Sequence, residues 1–264
     1  MFSLSDPKKE NSKMPICKIV GGKYNNKIVY LNGKKTNKLK EDEIEFEDFD
    51  YLKLNDGKFE IYPNTAGDRT VVSFLGPSGV GKSYSMKTFM KRYEELYKLP
   101  IYLFSRKMSD VTLNDVRSIQ RVKIDYSLVT NPIDYKEFEN SCVVFDDIDG
   151  LPDVTKQDKL IKHAVNSLKN QILELARDIH TSCLVSSHLA AKGFETRTLI
   201  NESHLTLIYP SSGSPYQSFL KRYFDFSPAQ IERIVNFDSR WVCMTRSYPR
   251  VLFTENEIMP LKDL

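Results

Sequence analysis

The 264-residue sequence contains no run of eighteen apolar residues, so it offers no membrane-spanning helix. Met1 to Pro15 is polar, which argues against a secretory signal. Cysteine is scarce: Cys17, Cys142, Cys183 and Cys243 stand far apart and form no C-x-x-C pair. Three of the four lie in apolar, strand-like runs, where a free thiol acts as a small hydrophobe in a reducing compartment. Charge of one sign is also lacking. Lysine and arginine number 38 against 35 acids, and a net +3 is too weak to argue for nucleic acid. Basic residues do cluster locally, at Lys8-Lys9, at Lys34-Lys35 with Lys38 and Lys40, and at Lys91-Arg92. No internal repeat or low-complexity segment is present. With 28% charged residues, the chain reads as a soluble globular protein with one substantial core and a small appendage.

What is there centres on residues 71 to 83. Val71-Val72-Ser73-Phe74-Leu75 has the pattern of a buried strand, and it runs directly into Gly76-Pro77-Ser78-Gly79-Val80-Gly81-Lys82-Ser83, a G-x-x-x-x-G-K-S phosphate loop. Glycines let successive backbone N–H groups curl around phosphate oxygens, and a helix starting near Lys82 points its positive end at the same anion. Lys82 is placed to reach the β- and γ-phosphates of ATP, and the Ser83 hydroxyl to ligate Mg²⁺. Behind the loop, Met86, Phe89, Met90, Tyr93 and Leu96 or Tyr97 recur at helical spacing.

The predicted fold class is α/β: a P-loop NTPase with a mostly parallel central sheet flanked by helices, of the additional-strand type, plus a small β-rich N-terminal module. Residues 1 to about 14 read as loose. Ile16 to Val20 and Lys27 to Leu31 form one predicted hairpin. Tyr51 to Leu54 and Lys58 to Tyr62, around Asn55-Asp56-Gly57, form a second, after an acidic stretch from Glu41 to Asp50. The module is expected to span 1–65 and the ATPase domain 66–264, the latter with a C-terminal helical and β-hairpin extension. Further predicted strands are Ile101 to Ser105, Ser141 to Asp146, Ser182 to Ser186, Leu205 to Tyr209, Trp241 to Thr245 and Val251 to Phe253. A long helix is predicted from Gln157 to Ile179, its stripe built of Leu160, Ile161, Ala164, Leu168, Ile172, Leu175 and Ala176. Shorter helices are predicted over Pro215 to Phe224 and from the Ser227-Pro228 cap to Val235.

The second chemical element is Cys142-Val143-Val144-Phe145-Asp146-Asp147, an apolar strand ending in two carboxylates. Such a strand end beside the loop suits Asp146 for the metal, opposite Ser83, and Asp147 for activating a water. The latter role more often falls to Glu, and the shorter Asp must stand closer or work through an extra water. A third element, Cys183-Leu184-Val185-Ser186-Ser187-His188, offers Ser187 and His188 as polar groups for the γ-phosphate or its water. Arg177, at the end of the long helix, has a local reason to sit near a helix C-terminus. It is also a candidate for an arginine delivered across a subunit boundary, with Arg197, Arg222, Arg240 and Arg246 as rivals.

These residues, together with Ala176-Arg177-Asp178-Ile179-His180 ahead of the Cys183 strand and the terminal Ser239-Arg240-Trp241-Val242, resemble the viral genome-packaging ATPases of the FtsK/HerA superfamily. The resemblance is to the poxvirus-like type of large eukaryotic DNA viruses and virophages, and it covers residues 66 to 255. It implies ATP-driven translocation of double-stranded DNA into a capsid by a homo-oligomeric ring of five or six subunits, in a virion or viral factory, with a capsid or portal-vertex protein as partner. Lys82 and Ser83 then hold phosphate and magnesium and Asp146 the metal; Asp147 takes the catalytic acid position and Arg177 that of the arginine finger. His188 stands where relatives place Gln. The tail lacks the acidic cluster of a nuclease. Two other functions remain open: a guanylate-like nucleoside monophosphate kinase, with Arg106, Arg117 and Arg121 as its arginines, and a nucleotide-gated structural adaptor with negligible turnover. For DNA contact the sequence offers Arg106-Lys107 and the Lys156 to Lys162 region.

Overall fold

The computed structural model describes residues 2–6, 14–31, 49–107, 109–188, 194–210 and 214–264. The basic group Lys34-Lys35-Lys38-Lys40, the Lys8-Lys9 pair and nearly all of the acidic stretch after Glu41 lie outside these residues.

Fourteen described strands fall into two sheets. The smaller has the order β1-β3-β2-β5, all antiparallel, from Phe2–Ser5 (β1), Met14–Val20 (β2), Ile28–Leu31 (β3) and Lys58–Ile61 (β5). The larger contains Leu52–Lys53 (β4), Val71–Leu75 (β6), Ile101–Ser105 (β7), Ile119–Val122 (β8), Cys142–Asp146 (β9), Ser182–Ser187 (β10), Leu205–Ile208 (β11), Val242–Thr245 (β12), Val251–Thr254 (β13) and Glu257–Pro260 (β14). Its order is β4-β14-β13-β12-β11-β6-β10-β9-β7-β8. From β11 to β8 the six strands are parallel, while β12, β13, β14 and β4 add an antiparallel meander at one edge. The predicted mixed sheet is therefore present, and β10 is the additional strand between β6 and β9.

Helices cover both faces. Lys82–Tyr97 (α1) buries Met86, Phe89, Met90 and Tyr93 on the face that carries Val72, Phe74, Leu103 and Val144. Of the two alternatives for its last apolar position, Tyr97 packs on this cluster and Leu96 is exposed. Ile19, Phe59 and Ile61 of the smaller sheet belong to the same cluster, so the N-terminal strands share the core under α1, while Ile28, Tyr30 and Tyr62 form a small buried cluster of their own. On the other face lie the short Ser127–Thr130 (α2), the long Lys156–Leu175 (α3), Phe194–Glu202 (α4), Ser214–Phe224 (α5) and Pro228–Val235 (α6). The Ser227 cap is a full capping box, its hydroxyl taking the Gln230 N–H while Gln230 returns a bond to the Ser227 N–H.

Three expectations are corrected. Asn55-Asp56-Gly57 does bend the chain, but its arms are not a hairpin: Leu52–Lys53 pairs with β14 and Lys58–Ile61 with β2. Turn chemistry favours a bend, whereas the choice of partner rests on which buried edge each arm meets. The N-terminus is not loose throughout, because Phe2–Ser5 pairs with β3 and Phe2 and Leu4 are buried. The long helix stops at Leu175, four residues short of Ile179, and its buried stripe is Val165, Leu168, Ile172 and Leu173, with Leu160 and Leu175 exposed. Arg69 explains the stop, its guanidinium donating to Ile172 O at 2.7 Å and Leu173 O at 2.6 Å and so capping the last turn.

Candidate functional site

The phosphate loop leaves β6 with the geometry its sequence demands. Gly79 has φ +81° and Gly81 φ +103°, a region side chains rarely adopt, and a Cβ at either would meet nothing within 4 Å. Glycine is needed there for the backbone, and the open space in front is the cradle. Gly76 is needed for a different reason, since a Cβ there would stand 2.8 Å from Cβ of the buried Tyr209. Tyr209 follows β11, and its hydroxyl donates to Ser85 Oγ at 2.7 Å, tying the loop's helix to the next strand. Burial pushes its phenol pKa upward. Gly81 caps α1 with no side-chain bond to the first helical N–H groups, which leaves those donors facing the loop.

Lys82 is 6% exposed and donates through Nζ to Gly76 O at 2.8 Å and Pro77 O at 2.9 Å. The ammonium thus rests on the loop's own carbonyls, poised for an anion that would enter the cradle. Burial lowers its pKa, and Asp147, Asp146 and Asp149 oppose that shift, which puts all three carboxylates within electrostatic reach. Ser83 is the second residue of α1, beside Lys82.

Across β10, the end of β9 presents the carboxylates. Asp146 is 1% exposed; Ser186 donates to its Oδ1 at 2.8 Å and Ser105 stands 3.5 Å from Oδ2. Burial raises its pKa, which the Ser186 bond partly offsets. Asp147 turns out of the strand in a left-handed conformation, φ +51°, and its N–H donates to the same Ser186 Oγ at 2.8 Å. One hydroxyl, wholly buried in β10, therefore spans both aspartates. The Asp147 Oδ1 is buried and accepts no hydrogen bond, with His188 Nε2 3.4 Å away. Ser187 is bonded to Asp149 through its hydroxyl, so it is committed to the 3-10 turn Ile148–Gly150.

The chain thus gathers Gly76 to Ser83, Asp146, Asp147 and His188 at the C-terminal ends of the parallel strands. Oxygen donors from Ser83 and Asp146 are of the hard type Mg²⁺ prefers, and two ligands with most positions left to water and phosphate is its usual habit. Among the described residues no cluster of three or more His, Cys, Asp or Glu could hold a metal alone. Arg177 is not part of this group: it follows α3 near the N-terminal ends of the strands, 74% exposed at its side chain, with Nε 3.3 Å from Asp68 Oδ2. Ser186, Tyr209 and Asp149 escaped sequence reasoning. Period-2 counting along Cys183 to Ser187 would have set Ser186 and Leu184 on one face, but the face alone does not single out a bridge.

No family model matches the chain. "Uncharacterized protein V3" of Sputnik virophage is 31% identical over 248 residues, spanning 92% of this chain and 93% of V3. The chain belongs to the virophage V3 family. Among solved structures, the pCW3 conjugation coupling protein TcpA, in its monomer form with ATPγS, aligns with a TM-score of 0.52 at 12% identity over 92% of this chain and 77% of TcpA. The genome packaging NTPase B204 from Sulfolobus turreted icosahedral virus 2, in complex with ATPγS, gives a TM-score of 0.45 at 12% identity over 74% of this chain and 98% of B204. The TcpA likeness extends to the fold, so this V3-family member has the P-loop NTPase architecture that its resemblance to the FtsK/HerA superfamily implied. Among the described residues no helix is long and apolar enough to cross a membrane.

Proposed function

We propose that this V3-family chain hydrolyses Mg–ATP to drive double-stranded DNA into a capsid as a homo-oligomeric ring. The observation that carries the reading is the pairing across β10 of a lysine resting on its own loop carbonyls with two aspartates locked by one serine. Lys82 leaves Gly76 O and Pro77 O for the β- and γ-phosphates, and the N–H groups at the start of α1 complete the cradle. Ser83 and Asp146 hold magnesium, which supplies charge neutralisation along the phosphates. The free Oδ1 of Asp147 accepts a proton from the attacking water, and His188 flanks that oxygen. Arg177, exposed and far from this chain's own loop, serves a neighbouring copy.

DNA is met through its phosphates. Arg106 and Lys107 are engaged locally, with Gly150 O and Asp110, and Lys162 with Leu151 O and Asp153. The exposed Lys156 and Lys159 at the start of α3 are the better candidates. The N-terminal module expected over residues 1–65 packs between subunits or docks on a capsid or portal-vertex protein. Arg121 is likewise held, by Lys107 O and Asn114, which leaves a kinase lid little to work with.

ATP turnover of purified oligomer with and without long duplex DNA tests the reading. Stimulation by DNA, abolished in Lys82→Ala, is the expected result. Turnover indifferent to DNA refutes the motor, phosphate transfer to GMP refutes hydrolysis as the reaction, and tight ATP binding without turnover points to an adaptor.

A further inference from the structure

At the opposite end of β6 from the phosphate loop lies a cavity of about 540 Å³. Three arginines, Arg69, Arg177 and Arg246, line it with His204, and Asp68 and Glu202 are the acids present. The loop before β6, the turn after α3, the start of β11 and the end of β12 build it. His204 pairs its backbone with Val71 on one side, N–H to O at 2.9 Å, and with Arg246 on the other, where the Arg246 N–H reaches His204 O at 2.9 Å. Its ring is fixed too, because Val71 N–H donates to His204 Nδ1 at 2.9 Å. A nitrogen that accepts cannot carry the proton, so in the neutral ring Nε2 is the donor.

The charge balance at His204 favours an anion. Its pKa falls to about 4 through burial and then Arg69, Arg246 and Arg177. Arg69 is 8% exposed and bonded to the α3 carbonyls, so it acts as a fixed wall charge. Among the described residues Arg177 is held only by the exposed Asp68 carboxylate at 3.3 Å, an exchangeable partner. β6 has five residues, and four steps of about 3.3 Å set its two ends about 13 Å apart, so a phosphate held in this chain's own loop does not reach the cavity.

We propose that this cavity is a phosphate-oxyanion site in which Arg177, Arg246 and the Nε2–H of His204 receive a phosphate group that does not come from the chain's own loop. The donors match that chemistry: planar guanidinium forks and one directional N–H around a cavity roomy enough for a phosphate and its water. Two sources share the chemistry, the terminal phosphate of a nucleotide bound to a second copy, which rests on the ring reading above, and free inorganic phosphate.

The test uses full-length Lys82→Ala protein with isotope-labelled histidine, so that phosphate in the chain's own loop does not contribute. The His204 signal is assigned by its loss in His204→Gln, and its protonation midpoint is followed by NMR. Inorganic phosphate, against chloride at equal ionic strength, is expected to raise the midpoint by about one unit or more. The exposed change Arg177→Gln should weaken that response about tenfold in phosphate concentration without unfolding the protein. A second arm mixes the labelled protein with unlabelled, ATPγS-loaded wild-type copies. A shift there and not with free phosphate assigns the neighbour's nucleotide, and the converse assigns free phosphate. No shift in either arm, or a shift produced only by duplex DNA, overturns the proposal. Absence of ATP turnover in the wild type would sink the motor but leave the free-phosphate arm standing.

Discussion

Replacing Ser186 by alanine removes one oxygen and two bonds. The hydroxyl donates to the Asp146 carboxylate and accepts the Asp147 N–H, each at 2.8 Å, in a wholly buried position. A bond to a charged group contributes about 1.5–3 kcal/mol and a neutral one about 1 kcal/mol, so Ser186→Ala should cost about 3 kcal/mol. In a chain of this length that lowers the Tm by about 6–12 °C, read by thermal unfolding. Geometry suffers as well, because Asp147 holds a left-handed turn that its N–H bond steadies. In steady-state ATP hydrolysis kcat should fall between about tenfold and a hundredfold with KM little changed, since the loop is untouched. The pH profile separates positioning from plain loss of stability. Ser186 holds the Asp146 pKa down, so without it the value rises further and the acid limb of activity moves to higher pH. Ser186→Thr keeps the hydroxyl and should recover part of both. If Ser186→Ala shows an unaltered kcat, Tm and acid limb, the coupling of the two aspartates through β10 is wrong.

Asp146→Asn should abolish turnover yet flatten the stability curve. The folded-state pKa of Asp146 is raised, so the folded chain keeps a proton the unfolded chain has released, and stability falls as pH rises from the ordinary carboxylate value through the folded one. Denaturant unfolding across mild acid should show that fall in the wild type and its loss in the variant. Gly76→Ala forces a Cβ against Tyr209 and should cost about 1–3 kcal/mol in the same assay, whereas Gly81→Ala meets open space and should act mainly on ATP affinity through its φ. Arg69→Met unlocks the end of α3, two charge-assisted bonds to Ile172 and Leu173, and should lower stability by about 2–4 kcal/mol by thermal unfolding.

The elements legible in the sequence are those whose signal is local. Val71 to Ser83 carries its strand, turn and helix start in thirteen successive residues, and Ser227-Pro228 announces its helix by cap and fixed φ. Features decided by distant partners were not. Ile119–Val122 is an edge strand with two exposed central residues, too polar to read as one. The arms around Asn55-Asp56-Gly57 look like a hairpin because nothing nearby tells them that two different sheets wait for them. At the site, the chemistry-bearing side chains were readable by type and spacing. The hydroxyl that locks them was not, since a serine inside an apolar strand has the same appearance whether it bridges two carboxylates or merely fills space. Likewise His204 gives no sign in sequence that a backbone amide of β6 chooses its tautomer.

β6 has a direction, and its two ends carry unlike equipment: a glycine cradle at one and an arginine-lined hollow at the other. Any contact that brings the first end of one copy to the second end of the next joins dissimilar surfaces, so it is heterologous and cannot be satisfied by a two-fold pair. A pair so joined still has one free end of each kind. Growth therefore stops only when the rotation per step closes the circuit, and an altered step angle would yield open filaments.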